Sequence, residues 1–197
     1  MPSNRSVFLL PFTVLALALF SPGCADDPAT APMARLTPAA KPTDSGPAAN
    51  YERRYLPKAI DASELILEMA QVCMEKSDLH PELMTFCQAT GAQASHDVSL
   101  MQGWLSTWYG IDHTPSLSGP DQRVLNQLRS LNGADFETAY LNAMVKEYTT
   151  LVRGEQHCYG RASTTALIGF CFDMQLMQSN DIDQMKSWLC TWYGECR

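Results

Sequence analysis

Cysteine thiols and methionine thioethers are the side chains of this sequence whose types and spacing could support chemistry. The chain has seven cysteines and ten methionines. Six of the cysteines follow Cys24, and they are Cys73, Cys87, Cys158, Cys171, Cys190 and Cys196. An even number of cysteines in an exported chain favours disulfides, and the alternatives are buried free thiols or a metal site.

Thioether sulfur is a soft ligand that suits Cu(I) and Ag(I), so the methionines raise the question of a metal site. The weak candidates for ligands are Met69, His80, Met101, Met144 and Met185. Methionine on a helical stripe is usually core filler, and His80 stands at a predicted capping position. We therefore expect no cofactor, with copper as the alternative.

Motifs of common catalytic sites are absent from the sequence. There is no His-Glu-x-x-His or Glu-x-x-His metal motif, no Gly-x-Ser-x-Gly elbow and no phosphate-binding glycine loop. The six cysteines after Cys24 all have plausible partners, which disfavours a nucleophilic thiol. We expect a protein that is not an enzyme.

An internal repeat organises the elements that must position these residues. Residues 104–110 (WLSTWYG) match residues 188–194 (WLCTWYG) at an offset of 84. Upstream matches at offsets of 84 or 85 include Glu52 with Glu137, Cys73 with Cys158, Cys87 with Cys171, Asp97 with Asp181 and Met101 with Met185. Two copies of a unit of about 60 residues account for this pattern.

Each unit has the apolar periodicity of two helices. Apolar residues recur with three-and-four spacing over 52–75 and 82–108, and no alternating run suggests a strand. Pro81 suits the first turn of a helix and Thr164 is a preferred N-cap. Because one hairpin buries only one face, we predict an all-α, four-helix bundle made of two helical hairpins.

The hairpin geometry selects two cysteine pairs. Cys73 and Cys87 lie equally far from a turn near residue 80, and Cys158 and Cys171 do the same about a turn near residue 164. Facing residues on packed helices come within disulfide range.

The third pair follows from a joint absence. The first copy has Ser106 and Asp112 where the second copy has Cys190 and Cys196, so both partners are missing together. We therefore predict a Cys190–Cys196 disulfide.

The N-terminus has the features of an export signal. Arg5 precedes an apolar run over 7–20, which is too short to span a bilayer, and Ser-Pro-Gly precedes Cys24. This segment looks like a bacterial lipoprotein signal, which implies that Cys24 becomes the first residue and carries a palmitate-type lipid. The alternative is an ordinary signal peptide with Cys24 as a stray thiol.

The predicted organisation has five segments. They are a signal peptide (1–23), lipidated Cys24 with an Ala/Pro/Asp-rich disordered tether (24–50), a first hairpin (51–110), a linker with a short helix (111–135) and a second hairpin (136–197). The chain has 14 Lys and Arg against 21 Asp and Glu. Without a basic stripe, nucleic acid is excluded as a partner.

Two sets of motifs carry a resemblance to a known family over about residues 51–195. The first copy has His80-Pro-Glu-Leu with Cys87, then Asp97-Val-x-x-Met101-x-x-Trp104-Leu. The second has Phe136-Glu-x-x-Tyr-Leu with Met144, then Gln178-x-x-Asp181-Ile-x-x-Met185-x-x-Trp188-Leu. With these motifs the chain resembles the bacterial "domain of unknown function 305" family in two tandem copies, which implies a ferritin-like helical bundle.

The resemblance also implies where a metal would bind. Family members typically carry a His-His pair on the first helix of a unit, and some are similar to copper-binding periplasmic proteins. The pair aligns here with Ala62-Ser63 and with Glu147-Tyr148. We therefore expect no metal at these four positions.

Two acidic residues stand where the resemblance implies longer acids. Helix pairing sets Asp97 opposite Ser63, and Asp181 opposite Tyr148. A buried carboxylate needs a hydrogen-bond donor or must be protonated. We predict hydroxyl–carboxylate pairs that are structural.

Two functions are compatible with these observations. The leading hypothesis is a non-enzymatic envelope lipoprotein that acts as an interaction or scaffold module for an unknown envelope protein. The repeated Trp-x-x-x-Trp-Tyr-Gly ends are either core or such a surface, and we expect the second Trp and the Tyr to be half exposed. The alternative is a periplasmic copper- or silver-binding protein. In both cases we expect a lipid anchor on the periplasmic side of the envelope, with the outer membrane favoured over the inner.

Overall fold

The computed structural model describes residues 46–196. This part of the chain is all-helical and contains no strand, which confirms the predicted all-α class. The helices are α1 (Pro47–Met74), α2 (Pro81–Tyr109), α3 (Gly119–Ser130), α4 (Gly133–Arg161) and α5 (Thr165–Tyr193). None of them is long and apolar enough to cross a bilayer. The predicted signal peptide, Cys24 and most of the predicted tether lie outside the described residues.

Two helices begin earlier than the predicted segment boundaries. α1 begins at Pro47, inside the segment predicted as a tether, because proline fits the first helical turn and Ala49 is fully buried. α4 begins at Gly133, so Asp135 lies within its first turn. The folded part therefore takes in a few residues from each flanking segment.

The long helices pair as two hairpins, α1 with α2 and α4 with α5. Cys73–Cys87 crosslinks the first hairpin and Cys158–Cys171 the second, with Cα–Cα distances of 6.1 and 6.0 Å. A third disulfide, between Cys190 and the C-terminal Cys196, closes the segment after α5. These are the three predicted pairs. Each disulfide stabilises a small domain by about 2–4 kcal/mol.

The hairpins meet mainly along α1 and α4, and α3 covers that joint. Leu125 and Leu128 of α3 are buried in the core that α1 and α4 share. The Lys76 Nζ donates to the main-chain oxygens of Arg129 and Leu131 at 2.9 and 2.7 Å. A cation thus satisfies carbonyls that the end of α3 leaves unpaired.

A buried glutamate of each hairpin binds the start of the second helix in the other hairpin. Glu52 of α1 is fully buried, and its carboxylate accepts hydrogen bonds from the backbone N–H groups of Ser163 and Thr164 at 2.7 and 3.0 Å. It also accepts from the Thr164 hydroxyl at 2.9 Å and from the hydroxyl of Tyr109. Thr164 is the N-cap of α5, so its cap comes from the first hairpin.

The reciprocal contact uses Glu137 of α4, which is also buried. Its carboxylate accepts from the backbone N–H of His80, the N-cap of α2, at 2.6 Å and lies 2.7 Å from His80 Nδ1. Tyr193, at the end of α5, donates its hydroxyl to the same carboxylate. We call these two sets, centred on Glu52 and Glu137, the carboxylate latch.

Electrostatics favour an ionised carboxylate in the latch. Burial alone would raise the pKa of Glu52, but hydrogen bonds from Tyr109 and from residues 163–164 outweigh it and lower the pKa below its ordinary value. The N-terminus of a helix carries partial positive charge, which stabilises a nearby anion. Glu52 therefore joins the hairpins through charge-assisted hydrogen bonds.

Aromatic rings pack beside the latch in the same reciprocal way. Trp104 stacks on Trp108 with ring centroids 5.0 Å apart, and meets the edge of Phe170 from the other hairpin at 5.5 Å. Trp188 meets the edge of Phe86 at 5.7 Å. Trp108 is 3 % exposed, so the expectation that it is half exposed is wrong. Its ring belongs to the joint between hairpins.

Replacing Glu52 with alanine is expected to lower the free energy of unfolding by about 3 kcal/mol, because the buried N–H of Thr164 and the partly buried N–H of Ser163 lose a charged acceptor. Chemical denaturation followed by circular dichroism measures the change. The matched control is Glu68→Ala on the same helix, whose ion pair with Arg129 is partly exposed and should contribute no more than about 1 kcal/mol. Equal effects of the two substitutions would contradict the latch.

Candidate functional site

A cavity of about 210 Å³ lies near the middle of the four long helices. Every one of these helices contributes to its wall. The lining side chains are Ser63 and Ile66 of α1; Phe86, Ala89, Thr90, Gln93, Ala94 and Asp97 of α2; Tyr148 and Leu151 of α4; and Met174, Met177, Gln178 and Asp181 of α5. The wall is therefore partly apolar and partly built from carboxyl, amide, hydroxyl and thioether groups.

The lining residues correspond between the two hairpins. Asp97 and Asp181 are equivalent at the 84-residue offset, and the same offset relates Thr90 to Met174. The four residues predicted as two separate polar pairs, Ser63 with Asp97 and Tyr148 with Asp181, all line this one cavity. Equivalent faces of the two hairpins thus meet at a shared site.

The predicted partners within those pairs are different in the structure. Asp97 is buried and accepts its hydrogen bond from Gln93 Nε2 at 2.8 Å, not from Ser63. Tyr148 hydrogen-bonds with Thr90 and not with Asp181. The physical reason is reach: a glutamine one turn away on the same helix contacts the carboxylate directly, whereas serine is too short to span two helix axes 8–10 Å apart.

Burial controls the protonation of the carboxyl groups at the cavity. Desolvation raises the pKa of Asp97 to about 6, against a lowering by the Gln93 hydrogen bond. Desolvation also raises the pKa of Asp181. Glu155, which is 4 % exposed, has its pKa raised to about 8 by burial and further by the Asp97 charge, while a hydrogen bond with Gln178 lowers it. At neutral pH Glu155 is therefore mainly protonated.

Two buried oxygens in this region have no hydrogen-bond partner within the described part of the chain. They are Oε2 of Glu155 and Oε1 of Gln178. A buried polar atom without a partner costs about 1–3 kcal/mol, so such atoms are usually satisfied by an ordered water, an ion or a ligand. Gln178 is 3 % exposed and is one of the residues that line the cavity.

Sequence reasoning missed Met174 and Met177 as site residues. Met174 is 9 % exposed, and both thioethers line the cavity. The signal was present, because they precede Asp181 by seven and four residues and therefore share its helix face.

The residues predicted as weak metal candidates lie elsewhere. Met69, Met144 and Met185 are fully buried in the larger core cluster, and Met101 lies in the smaller one. Met on a buried stripe fills the core in all four cases. Each of these side chains is packed among apolar neighbours and none lines the cavity.

His80 is part of the latch. Its ring lies 2.7 Å from Glu137 and stacks on Trp192 with centroids 4.0 Å apart. At the positions of the family His pairs, Ser63 and Tyr148 line the cavity, whereas their neighbours Ala62 and Glu147 do not. Within residues 46–196 no group of three or more His, Cys, Asp or Glu side chains is arranged to hold a metal ion.

Comparisons with known proteins agree on one family and one fold. A family model described as "Domain of unknown function (DUF305)" matches residues 53–189. The solved structure "CopM in the Cu(I)-bound form" is similar, with a TM-score of 0.65, 18 % identity, and coverage of 73 % of this chain and 98 % of that chain.

Two further structures are similar to the same degree. "CopM in the Ag-bound form (by co-crystallization)" has a TM-score of 0.64, 17 % identity, and coverage of 73 % and 98 % of the two chains. "CopM in the Cu(II)-bound form" has a TM-score of 0.64, 18 % identity, and coverage of 72 % and 97 %. No curated protein sequence matches the chain significantly. At this identity the similarity establishes the helical fold.

The raised pKa of Glu155 predicts a pH-dependent stability. The pKa of this carboxyl is about 8 in the folded protein, so between pH 4.5 and pH 8 it holds a proton that the unfolded chain has released. Its contribution to the free energy of unfolding is therefore complete below about pH 4.5 and is lost as pH rises towards 8. The raised pKa of Asp97 also makes the stability fall with rising pH, but only up to about pH 6. The Glu155→Gln variant should therefore show a flatter decline between pH 6 and pH 8, and should be more stable than wild type at pH 8 by on the order of 2 kcal/mol.

Urea unfolding at several pH values, with a chelator present, measures this difference. The matched control is Asp183→Asn on α5, an exposed carboxyl outside the cavity, which should leave the pH profile unchanged. Parallel pH profiles for wild type and Glu155→Gln between pH 6 and pH 8 would show that Glu155 is ionised in the folded protein.

Proposed function

Because the chain belongs to the DUF305 family, we propose that its central cavity binds a soft monovalent metal ion, copper(I) or silver(I). One observation carries the proposal. Met174, Met177 and Gln178, whose Oε1 has no hydrogen-bond partner in the described part of the chain, line the cavity to which the equivalent faces of both hairpins contribute. The thioethers stand one and two turns before Asp181 on a single helix, so they present soft donors beside a carboxyl group.

The donor set suits a soft ion. Thioether sulfur selects Cu(I) and Ag(I), whereas Cu(II) and Zn(II) prefer imidazole or thiolate, and neither histidine nor cysteine is among the cavity's lining residues. Met174 and Met177 would supply sulfur, Gln178 an amide oxygen, and Asp97 a compensating charge. The similar CopM structures are bound to Cu(I), Ag and Cu(II). They support the proposal through their similar fold.

The cellular setting belongs to the same proposal. Cys24 carries the lipid, the tether holds the bundle on the periplasmic side of the envelope, and the protein sequesters metal without catalysing a reaction. The two hairpins derive from a duplicated unit and adopt the ferritin-like four-helix arrangement that the resemblance implies. Support comes from the leader sequence, the offset matches and the reciprocal latch.

A second candidate function is the interaction module, and a specific surface favours it. Tyr159, Phe172 and Leu176 are large apolar residues that are 53 %, 44 % and 49 % exposed. The Tyr159 and Phe172 rings lie 5.7 Å apart, and Leu176 follows Phe172 by one helical turn. Aromatic residues on such surfaces are enriched at protein interfaces, so an envelope protein would dock here and not on the buried Trp104–Trp108 stack.

The metal proposal predicts tight Cu(I) binding that depends on two methionines. Titration against a chromophoric Cu(I) competitor should give one site with an affinity tighter than about micromolar, which corresponds to about 8 kcal/mol. Replacing both Met174 and Met177 with leucine removes the sulfur donors at nearly constant volume, and should weaken binding by at least about tenfold.

The matched control is Met144→Leu, which changes a methionine of the core and should leave the affinity unaltered. Circular dichroism establishes that each variant is folded. Wild-type affinity weaker than micromolar, or equal losses in the Met144 and the Met174/Met177 variants, would overturn the proposal and leave the interaction module as the better candidate.

A further inference from the structure

A second concave surface lies where the N-terminal part of α1 faces the C-terminal part of α4. Its volume is about 450 Å³, and it is separate from the central cavity in its lining residues. The lining is Tyr51, Arg54, Tyr55, Lys58, Gly154, His157 and Arg161. We call this surface the cationic groove, because three permanent cations and an imidazole line it without any carboxylate.

None of the three cations of the groove forms a salt bridge within the described part of the chain. In the described part of the chain the ion pairs of Lys and Arg are Arg129 with Glu68 and Lys146 with Glu147, so Arg54, Lys58 and Arg161 have none. The whole chain has a formal net charge of −7, so this local concentration of positive charge has the opposite sign to the net charge of the protein. Like charges placed together repel one another, and a bound anion would remove that cost.

The tyrosines give the groove an aromatic wall. Tyr51 stacks on Tyr55 with centroids 5.7 Å apart and an interplanar angle of 18°. Arginine binds phosphate oxygens in bidentate fashion and lysine binds them as a point charge. Tyrosine, with an apolar ring and a polar hydroxyl, is favoured where a surface meets lipid headgroups. These residue types together match a phosphate group better than a simple halide.

The groove also stands at the start of the folded domain. α1 begins at Pro47, so Tyr51 and Arg54 lie within its first turns, directly after the segment that contains Cys24. If Cys24 carries a lipid, as proposed above, this part of the domain is the nearest in sequence to the membrane surface. Anionic phospholipid would then be the most abundant phosphate within its reach.

We infer that the cationic groove binds a phosphate-bearing anion, with the headgroup of an anionic phospholipid as the expected source. Arg54, Lys58 and Arg161 contact the phosphate oxygens, and the Tyr51 and Tyr55 rings border the site. The bundle then rests with this end on the membrane, and the site is distinct from the one proposed for metal.

The test compares two triple variants of the full chain, each in a Cys24→Ser background that cannot be lipidated. The groove variant carries Arg54→Gln, Lys58→Gln and Arg161→Gln, and the control carries Arg123→Gln, Lys146→Gln and Lys186→Gln, which are exposed cations outside the groove. One arm measures binding to phosphatidylcholine vesicles with and without phosphatidylglycerol. The other titrates inorganic phosphate and glycerol phosphate, followed by NMR of the tyrosine rings.

The groove variant should bind phosphatidylglycerol vesicles about 100-fold more weakly than the control, and the difference should shrink at high salt. Any association through the apolar leader is the same in both variants and does not affect the comparison. Binding in the vesicle arm alone identifies the lipid surface as the source, and binding of soluble glycerol phosphate without a vesicle preference identifies a free phosphate ligand.

Equal binding of the two variants in both arms would overturn the inference. Cu(I) affinity is measured on the same proteins. An unchanged Cu(I) affinity in the groove variant separates this result from the outcome of the metal proposal, and circular dichroism establishes that both variants are folded.

Discussion

A buried carboxylate at the start of a neighbouring helix is the interaction on which the arrangement of this protein depends. Glu52 and Glu137 supply the caps that the N-terminal residues of α5 and α2 do not provide with their own side chains. A carboxylate removed from water is costly unless several donors reach it, so the two hairpins have few ways to pack. Because each hairpin caps the other, the relative height of all four long helices is set twice.

This constraint explains why the cavity exists where it does. The latch sites lie near the two ends of the bundle, so equivalent mid-helix positions such as Asp97 and Asp181 come to one level. The disulfides have a different effect. They limit the distance between the two helices of one hairpin and do not fix the position of one hairpin relative to the other. The disulfides therefore hold each hairpin together, and the hydrogen bonds of Glu52 and Glu137 set how the hairpins pack around the site. Glu52 and Glu155 are both buried but differ in pKa. Hydrogen bonds lower the pKa of Glu52, whereas burial raises the pKa of Glu155.

The repeat and the cysteine positions made the fold predictable. The disulfide pairs followed from equal distance to a turn, and Cys190–Cys196 followed from the paired absence at Ser106 and Asp112. The latch was not predictable in the same way, since its partners are 111 and 57 residues apart in sequence and no local pattern links them. Glu52 and Glu137 were visible as matching residues of the repeat, but their role depends on contacts between hairpins.

The polar residues that line the cavity were predictable from the sequence, but the predicted hydrogen-bond partners of Asp97 and Tyr148 were wrong. Pairing helices by height brought Ser63 near Asp97, yet the choice of hydrogen-bond donor depends on side-chain length, which Gln93 supplies from the same helix. Met174 and Met177 were not among the predicted candidates, and the methionines that were, such as Met101 and Met185, are core residues.

The charge state of the cavity bears on which ion it could hold. Glu155 is mainly protonated at neutral pH, and burial opposes ionisation of Asp97 and Asp181 as well. A divalent ion would need more negative charge to offset its desolvation than a monovalent ion needs. A site lined by thioethers and by carboxyls that ionise reluctantly, with no imidazole among its lining residues, favours a soft ion of single charge. Because protonation of Asp97 would remove the compensating charge, affinity in this cavity would rise with pH, so that acidification would release the ion.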